Sequence, residues 1–258
     1  MELILIRQYL FNEYKKHLKV DVEKGFGIIK AKPSSEDDFK FYLANASVHS
    51  SNIEGNTTSF DTYLKAKEFN LHLRTKEIKE IDELVAAYQF ARVNEISLDG
   101  VLKAHEILSQ SLLIKKERGK IRKDKVGIRS EGRLIYLAIE PEFVKQELEK
   151  LFEDISVLLK NNLTVEEVFY YAAYIHLVFV NIHPFIDGNG RATRLLEKWF
   201  LAKKLGESAW MITSEKNYWD NRSTYYKNLQ IGVNYYEIKY EKSIPFLMML
   251  ADALKNID

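Results

Sequence analysis

The chain has no cysteine in 258 residues, which excludes disulfides and thiolate metal sites. Only 4 prolines and 11 glycines punctuate it, so little in the sequence interrupts helix. Neither sign of charge prevails. The 38 Lys and Arg against 37 Asp and Glu leave +1, and the chain as a whole gives no electrostatic case for nucleic acid or a membrane surface as partner. Long hydrophobic runs are missing as well: the most apolar stretch, 172–182, is too short to span a bilayer and contains His176. The first residues, Met1 to Arg7, carry an acid at position 2 and a very short apolar run, unlike a secretory signal. A cytoplasmic, reducing location is the expectation.

What is present is a globular composition, 46% apolar, arranged with helical spacing. The pattern predicts helices over 3–20, from Ser35 towards Ser50, and over 58–71, 75–93 and 98–112. Breaks are expected at Gly25-Phe-Gly27 and Pro33-Ser-Ser. Residues 126–139 read as two short strands around a turn at Glu131-Gly132. Pro141 starts a helix to about Lys160. Thr164-Val-Glu-Glu167 is a capping-box start for an apolar helix to Asn181, and another begins at Gly188. Helices over 215–231 and 241–256 close the chain. With no internal repeat, low-complexity tract or linker, the expectation is one all-α domain, 1–258, with a small β-hairpin.

Polar chemistry concentrates in one stretch, His183-Pro-Phe-Ile-Asp-Gly-Asn-Gly-Arg-Ala-Thr-Arg194. Gly188 and Gly190 permit a turn whose main-chain N–H groups, at the start of a helix, form an anion cradle. Arg191 and Arg194 share a helix face and can grip phosphate oxygens. Asp187 is a suitable hard ligand for Mg²⁺, which binds through one or two carboxylates plus substrate phosphates. His183, with an ordinary pKa near neutrality, could take a proton from a hydroxyl. Taken singly, each is more often a plain turn or a solvated face; together in twelve residues between two apolar helices they suggest transfer of a phosphorus group from a nucleotide to a hydroxyl. No Gly-Lys-Ser/Thr follows a strand, which argues against a Walker-type loop. His176 and His183 are badly spaced for zinc, and His176 reads as a core histidine.

The stretch resembles the signature of the Fic (Fido) family, His-x-Phe-x-Asp/Glu-Gly-Asn-Gly-Arg-x-x-Arg, at every fixed position. The resemblance covers stretches between Ser50 and about Leu229. It implies a Fic-type helical bundle with a β-hairpin flap, a core over about 98–231, an N-terminal segment 1–56 and a C-terminal helix in 232–258. It also implies transfer of AMP from Mg-ATP to a Ser, Thr or Tyr hydroxyl of a protein, releasing pyrophosphate. The roles implied are His183 as general base, Phe185 as buried anchor and Asp187 as Mg²⁺ ligand. Gly188, Asn189 and Gly190 would form the anion hole, with Arg191 and Arg194 on the outer phosphates. Gly119-Lys-Ile-Arg122 with Val126, Gly127, Ile128 and Arg129 resembles the flap, whose edge aligns a target peptide by strand addition. The segment 131–140 after it is longer than the family's and lacks the usual proline pair. Asn221 to Tyr226, with Leu229, resembles the segment whose tyrosines, here Tyr225 and Tyr226, enclose adenine.

Upstream, Ser50-Ser-Asn-Ile-Glu54-Gly-Asn resembles the family's inhibitory motif, Ser/Thr-x-x-x-Glu-Gly/Asn. A Glu54 carboxylate offered to the Arg194 guanidinium would compete with the γ-phosphate for the same fork and leave ATP misaligned for in-line transfer. The expected partners are ATP and a target protein, with self-modification and homodimerisation both open. Two readings compete: a nucleotide-sensing regulatory protein, and an enzyme of the same family using UMP or removing AMP.

Overall fold

The computed structural model describes residues 2–32, 35–69, 75–130 and 132–255. In chain order they form α1 (Phe11–His17), α2 (Val22–Ala31), α3 (Glu36–Ile53), α4 (Phe60–Glu68), α5 (Lys76–Val93) and α6 (Leu98–Leu108). A hairpin, β1 (Gly127–Ser130) and β2 (Arg133–Leu137), precedes α7 (Pro141–Lys160), α8 (Val165–Ile182) and α9 (Asn189–Leu205). The chain ends with α10 (Ser214–Asp220), α11 (Arg222–Leu229) and α12 (Ile244–Asp252). The all-α expectation with one small hairpin holds. Among the described residues no helix is long and apolar enough to cross a membrane.

α8 is the axis. Its start is fixed by a reciprocal cap, the Thr164 hydroxyl accepting the Glu167 amide and the Glu167 carboxylate accepting the Thr164 amide. Nearly every side chain that follows is buried, from Val168 and Phe169 to Phe179 and Ile182. It packs chiefly on α9, and also on α7, α12, α2 and α1. Each fully buried Leu or Phe there stabilises the fold by about 1.5–3 kcal/mol.

α3 is held from a different side. Ser35 and Asp38 cap its start reciprocally, and a second apolar cluster (Ala44, Val48, Tyr63, Ala66, Ile78, Ile81) ties it to α4 and α5. It runs to Ile53, and Gly55 takes the positive φ (100°) that ends it. Asn52 Nδ2 donates to the carbonyls of Asn56 and Thr58, and Asn56 Nδ2 to Glu77 of α5, so the turn carrying Glu54 is fastened on both sides.

The hairpin is antiparallel, Ile128 opposite Tyr136, with an irregularity between Ile128 and Arg129. Leu137 N donates to Val233 O, and Leu137 bridges Asn234, so the outer edge of β2 is engaged. The outer edge of β1 has no strand beside it among the described residues.

Several local expectations change. Instead of a helix over 3–20, the amides of Ile4, Leu5 and Ile6 donate to the Asp154 carboxylate (2.6, 2.8 and 3.0 Å), and helix begins only at Phe11 after a short 3-10 turn. Gly25-Phe-Gly27 does not break the chain but lies inside α2, where Gly25 lets Leu254 approach closely. The helix expected over 215–231 divides at Asn221 into α10 and α11. The last helix begins at Ile244 after two 3-10 turns. Pro33, Ser34, Glu131, the 58–71 helix beyond Phe69 and the chain end after Lys255 lie outside the described residues.

Candidate active site

Where α8 ends, His183 takes a left-handed conformation (φ 53°), the only non-glycine to do so among the described residues. Such a backbone costs about 1–2 kcal/mol and persists only when its surroundings impose it. Arg122 is the imposing group. Its buried guanidinium donates to the carbonyls of His183 (2.7 Å), Asp124 (2.9 Å) and Ile139 (2.6 Å), and its own amide donates to Pro184 O (2.9 Å). His183 Nδ1 lies 3.2 Å from Val180 O. A carbonyl can only accept, so Nδ1 carries the proton and Nε2 keeps its lone pair. Desolvation lowers the ring's pKa to about 4; Arg122 reinforces this, while the Val180 bond and the Glu54 and Asp187 charges oppose it. The imidazole is neutral at physiological pH.

Two buried groups shape the next turn. Phe185 stacks face to face on His105 of α6, centroids 3.5 Å apart. His105 Nδ1 accepts the Gly119 amide, so Nε2 donates to Asp187 O (2.9 Å). Burial lowers its pKa to about 4 as well, despite the Asp187 contacts. Asn189 closes the loop with both ends of its amide, accepting from Phe185 N and donating to Phe185 O. Its side chain is therefore committed to the loop. Gly188 (φ 81°) is the left-handed residue before α9. Asp187 is exposed, and one carboxylate oxygen accepts the Gly188 amide.

No side chain caps α9, so its first amides are left without a side-chain acceptor. A carboxylate already reaches this point: a Cβ built on Gly190 would lie 2.1 Å from Glu54 Oε1. The same oxygen accepts from Arg194 Nη2 at 2.7 Å. Arg194, wholly buried, also donates to Ser50 Oγ (2.8 Å), Ser50 O (2.9 Å) and Tyr225 OH (3.2 Å). Burial works against its charge, but the Tyr225 and Glu54 oxygens outweigh it and hold the guanidinium pKa above its ordinary value. Arg191 pairs with buried Glu80 of α5 (3.1 Å), yet its Nε and Nη1 have no partner and are sealed from water.

Residues 95–201 match the Fic/DOC family. Those 107 of the 258 residues carry a Fic/DOC family domain. The chain is 31% identical over 159 residues to the protein adenylyltransferase fic-1 of Caenorhabditis elegans, covering 57% of this chain and 29% of that protein. It is 38% identical over 86 residues to the protein adenylyltransferase Fic of Drosophila persimilis, covering 33% of this chain and 15% of that one. The chain thus spans under a third of these relatives' length. A Fic family protein of Desulfovibrio desulfuricans superposes with TM-score 0.70 at 23% identity, over 95% of this chain and 70% of the other. A C. elegans Fic-1 fragment gives 0.67 at 21%, over 96% and 71%. At those identities the likeness is one of fold.

Around the Fic loop the structure brings together Ser50, Glu54, His183, Asp187, Gly188, Asn189, Gly190, Arg191 and Arg194. Tyr225 lies behind it, in the core. Its hydroxyl accepts from Arg194 and donates to His176 Nε2 (2.9 Å), while His176 Nδ1–H donates to Glu197 (2.8 Å). The expected core histidine is thus one link in a buried chain ending at Arg194. Tyr226 is half-buried and donates to Ile53 O (3.0 Å). Val126 to Arg129 lie at the flap: Val126 O accepts Ala138 N, Gly127 to Arg129 form β1, and Arg129 donates to Gly132 O. Sequence reasoning missed the positioning roles of Arg122, His105, Glu80 and Glu197. Only Arg122 left a trace, as the last residue of Gly119-Lys-Ile-Arg122.

Proposed function

We propose that this chain is a protein adenylyltransferase that uses Mg-ATP and is restrained by its own Glu54. The observation that carries the reading is the shared seat of Glu54 Oε1, which lies over Gly190 at the start of α9 and against Arg194 at 2.7 Å. Phosphate oxygens would seek both of those groups. Two anions cannot occupy one desolvated seat, so Glu54 and a correctly placed triphosphate exclude each other.

The residues fit a polyphosphate. Arg191 keeps two buried N–H groups without partners, and the first amides of α9 are uncapped. Among the described residues no cluster of three or more His, Asp or Glu could hold a metal unaided. Asp187, exposed beside the cradle, fits a Mg²⁺ bound mainly through the nucleotide's phosphates. That ion, when bound, would neutralise charge on the departing pyrophosphate. His183 Nε2 would accept the proton of a target hydroxyl. The hydroxyl oxygen then bonds to the α-phosphorus, the bond to the bridging oxygen breaks and pyrophosphate leaves. The uncapped amides and the two arginines would stabilise the charge developing on phosphate oxygen.

The test is intact-mass and peptide mass spectrometry of Glu54→Gly after incubation with Mg-ATP. Self-modification by one AMP on a hydroxyl residue should rise at least about tenfold over wild type, equivalent to ~1.4 kcal/mol of barrier. Adding His183→Ala should abolish it while nucleotide still binds. Equal product from Glu54→Gly and wild type would refute the restraint. Undiminished product without His183 would refute the base.

A further inference from the structure

Cations elsewhere on this molecule are commonly paired. Lys65 meets Asp61, Arg92 meets Glu36 and Glu207, and Lys203 meets Glu95. Residues 115–133 depart from this. They contain nine of the chain's 38 basic residues and three of its 37 acidic ones, so the remaining 239 residues are net negative. Among the described residues none of the nine forms an ion pair. Arg118, Arg122 and Arg129 donate to backbone carbonyls, and Lys115, Lys116, Lys120, Lys123 and Lys125 stand exposed. A chain with +1 overall has placed six more basic than acidic residues (nine against three) on one segment.

That segment adjoins the site. Arg122 sits in its middle and is bonded to His183 O and Pro184 O, so Lys123 and Lys125 leave directly from the group that positions the catalytic loop. Lys125 is followed by Val126 and β1, whose outer edge has main-chain donors and acceptors with no strand beside them among the described residues. The edge suits an extended peptide, and the exposed Lys123 and Lys125 that lead into it suit a negatively charged one. A nucleic acid would satisfy the charge but not the strand edge.

We infer that the flap selects target segments whose modified hydroxyl is flanked by aspartate and glutamate, with Lys123 and Lys125 as the specificity-determining cations. The inference rests on the adenylyltransferase reading for its meaning, but its test does not need transfer to occur.

Fluorescence anisotropy would follow three labelled peptides of one length binding to the full chain without nucleotide. Each carries a central Ser, Thr and Tyr, flanked by Asp/Glu, by Asn/Gln or by Lys/Arg. The acidic peptide should bind at least about tenfold more tightly than the neutral one at low salt, and the gap should narrow as salt rises. In the variant Lys123→Glu/Lys125→Glu the preference for the acidic peptide should be lost, with circular dichroism confirming that the exposed changes leave the fold intact. Equal binding of the three peptides, or the same preference in the variant, would overturn the inference. So would a single-stranded oligonucleotide of matched charge that binds more tightly than the acidic peptide, which would assign the patch to nucleic acid. A failure of AMP transfer from Glu54→Gly leaves all these outcomes readable.

Discussion

Arg194 shows how one buried charge can be both secure and releasable. An uncompensated buried guanidinium would cost several kcal/mol, and removing a sole partner is correspondingly damaging. Here Ser50 supplies two acceptors and Tyr225 a third, so Glu54 is a fourth partner rather than the only one. The Glu54 side chain is 30% exposed, which gives water a route to the vacated position once it leaves. Gly190 is the matching residue on the other side. Its backbone is helical, so alanine would be favoured there by about 0.5–1 kcal/mol were space available. The obstacle is Glu54 Oε1 at 2.1 Å from the added carbon. A double-mutant cycle on urea unfolding should therefore find Gly190→Ala destabilising in the wild-type chain and neutral or stabilising in Glu54→Gly, with a coupling of about 1 kcal/mol or more. Additive effects would mean that Glu54 does not rest over Gly190 in solution.

The C-terminal end of α3 is the element that presents Glu54, and α11 holds it. Ile53 O accepts from both Arg222 Nε (2.8 Å) and Tyr226 OH (3.0 Å). Those bonds satisfy a carbonyl that the ending helix leaves free, at about 0.5–1.5 kcal/mol each. Arg222→Ala with Tyr226→Phe should loosen the last turn without touching the cradle. Self-modification should rise severalfold but stay below that of Glu54→Gly, and hydrogen exchange should quicken over residues 51–56. A rise equal to that of Glu54→Gly, or none, would show that α11 does not set the position of Glu54. At this scale the sequence was readable wherever an element declares itself locally. The Ser35/Asp38 and Thr164/Glu167 caps, the apolar run of α8 and the twelve residues from His183 to Arg194 all lie within a few positions of what they organise. It was unreadable where a distant partner decides. The amides of residues 4–6 are claimed by Asp154, some 150 positions away, and no spacing rule anticipates that. Likewise His105 and Arg122 shape the Fic loop from 82 and 61 positions upstream.

Across the whole molecule, the positioning of the site depends on histidines kept neutral by burial. His105 and His183 are lowered to about 4, and His176 is lowered too by desolvation, against the pull of Glu197. Each sits at about 6.5 in an unfolded chain. A group whose folded pKa lies below its unfolded value binds protons more readily when unfolded. For His105 and His183 the resulting contribution to stability is complete above pH 6.5 and is lost as pH falls from 6.5 towards 4, at up to about 1.4 kcal/mol per pH unit for each of the two. The carboxyls held low by hydrogen bonds, Asp38, Glu106 and Glu140, act only below the ordinary carboxylate range, so pH 5–6.5 belongs to the histidines. His183 is the one to remove: the Arg122, Glu54 and Asp187 charges act on it, and its Nδ1 faces Val180 O. In urea unfolding, the stability lost by His183→Ala between pH 6.5 and 5 should be smaller than the wild-type loss by up to about 2 kcal/mol. An equal loss in both chains would mean that His183 titrates normally, and a base with an ordinary pKa would then be partly protonated at neutral pH. Glu54→Gly removes one of the charges that raise this pKa, so in that variant AMP transfer should stay flat with pH down to about 5.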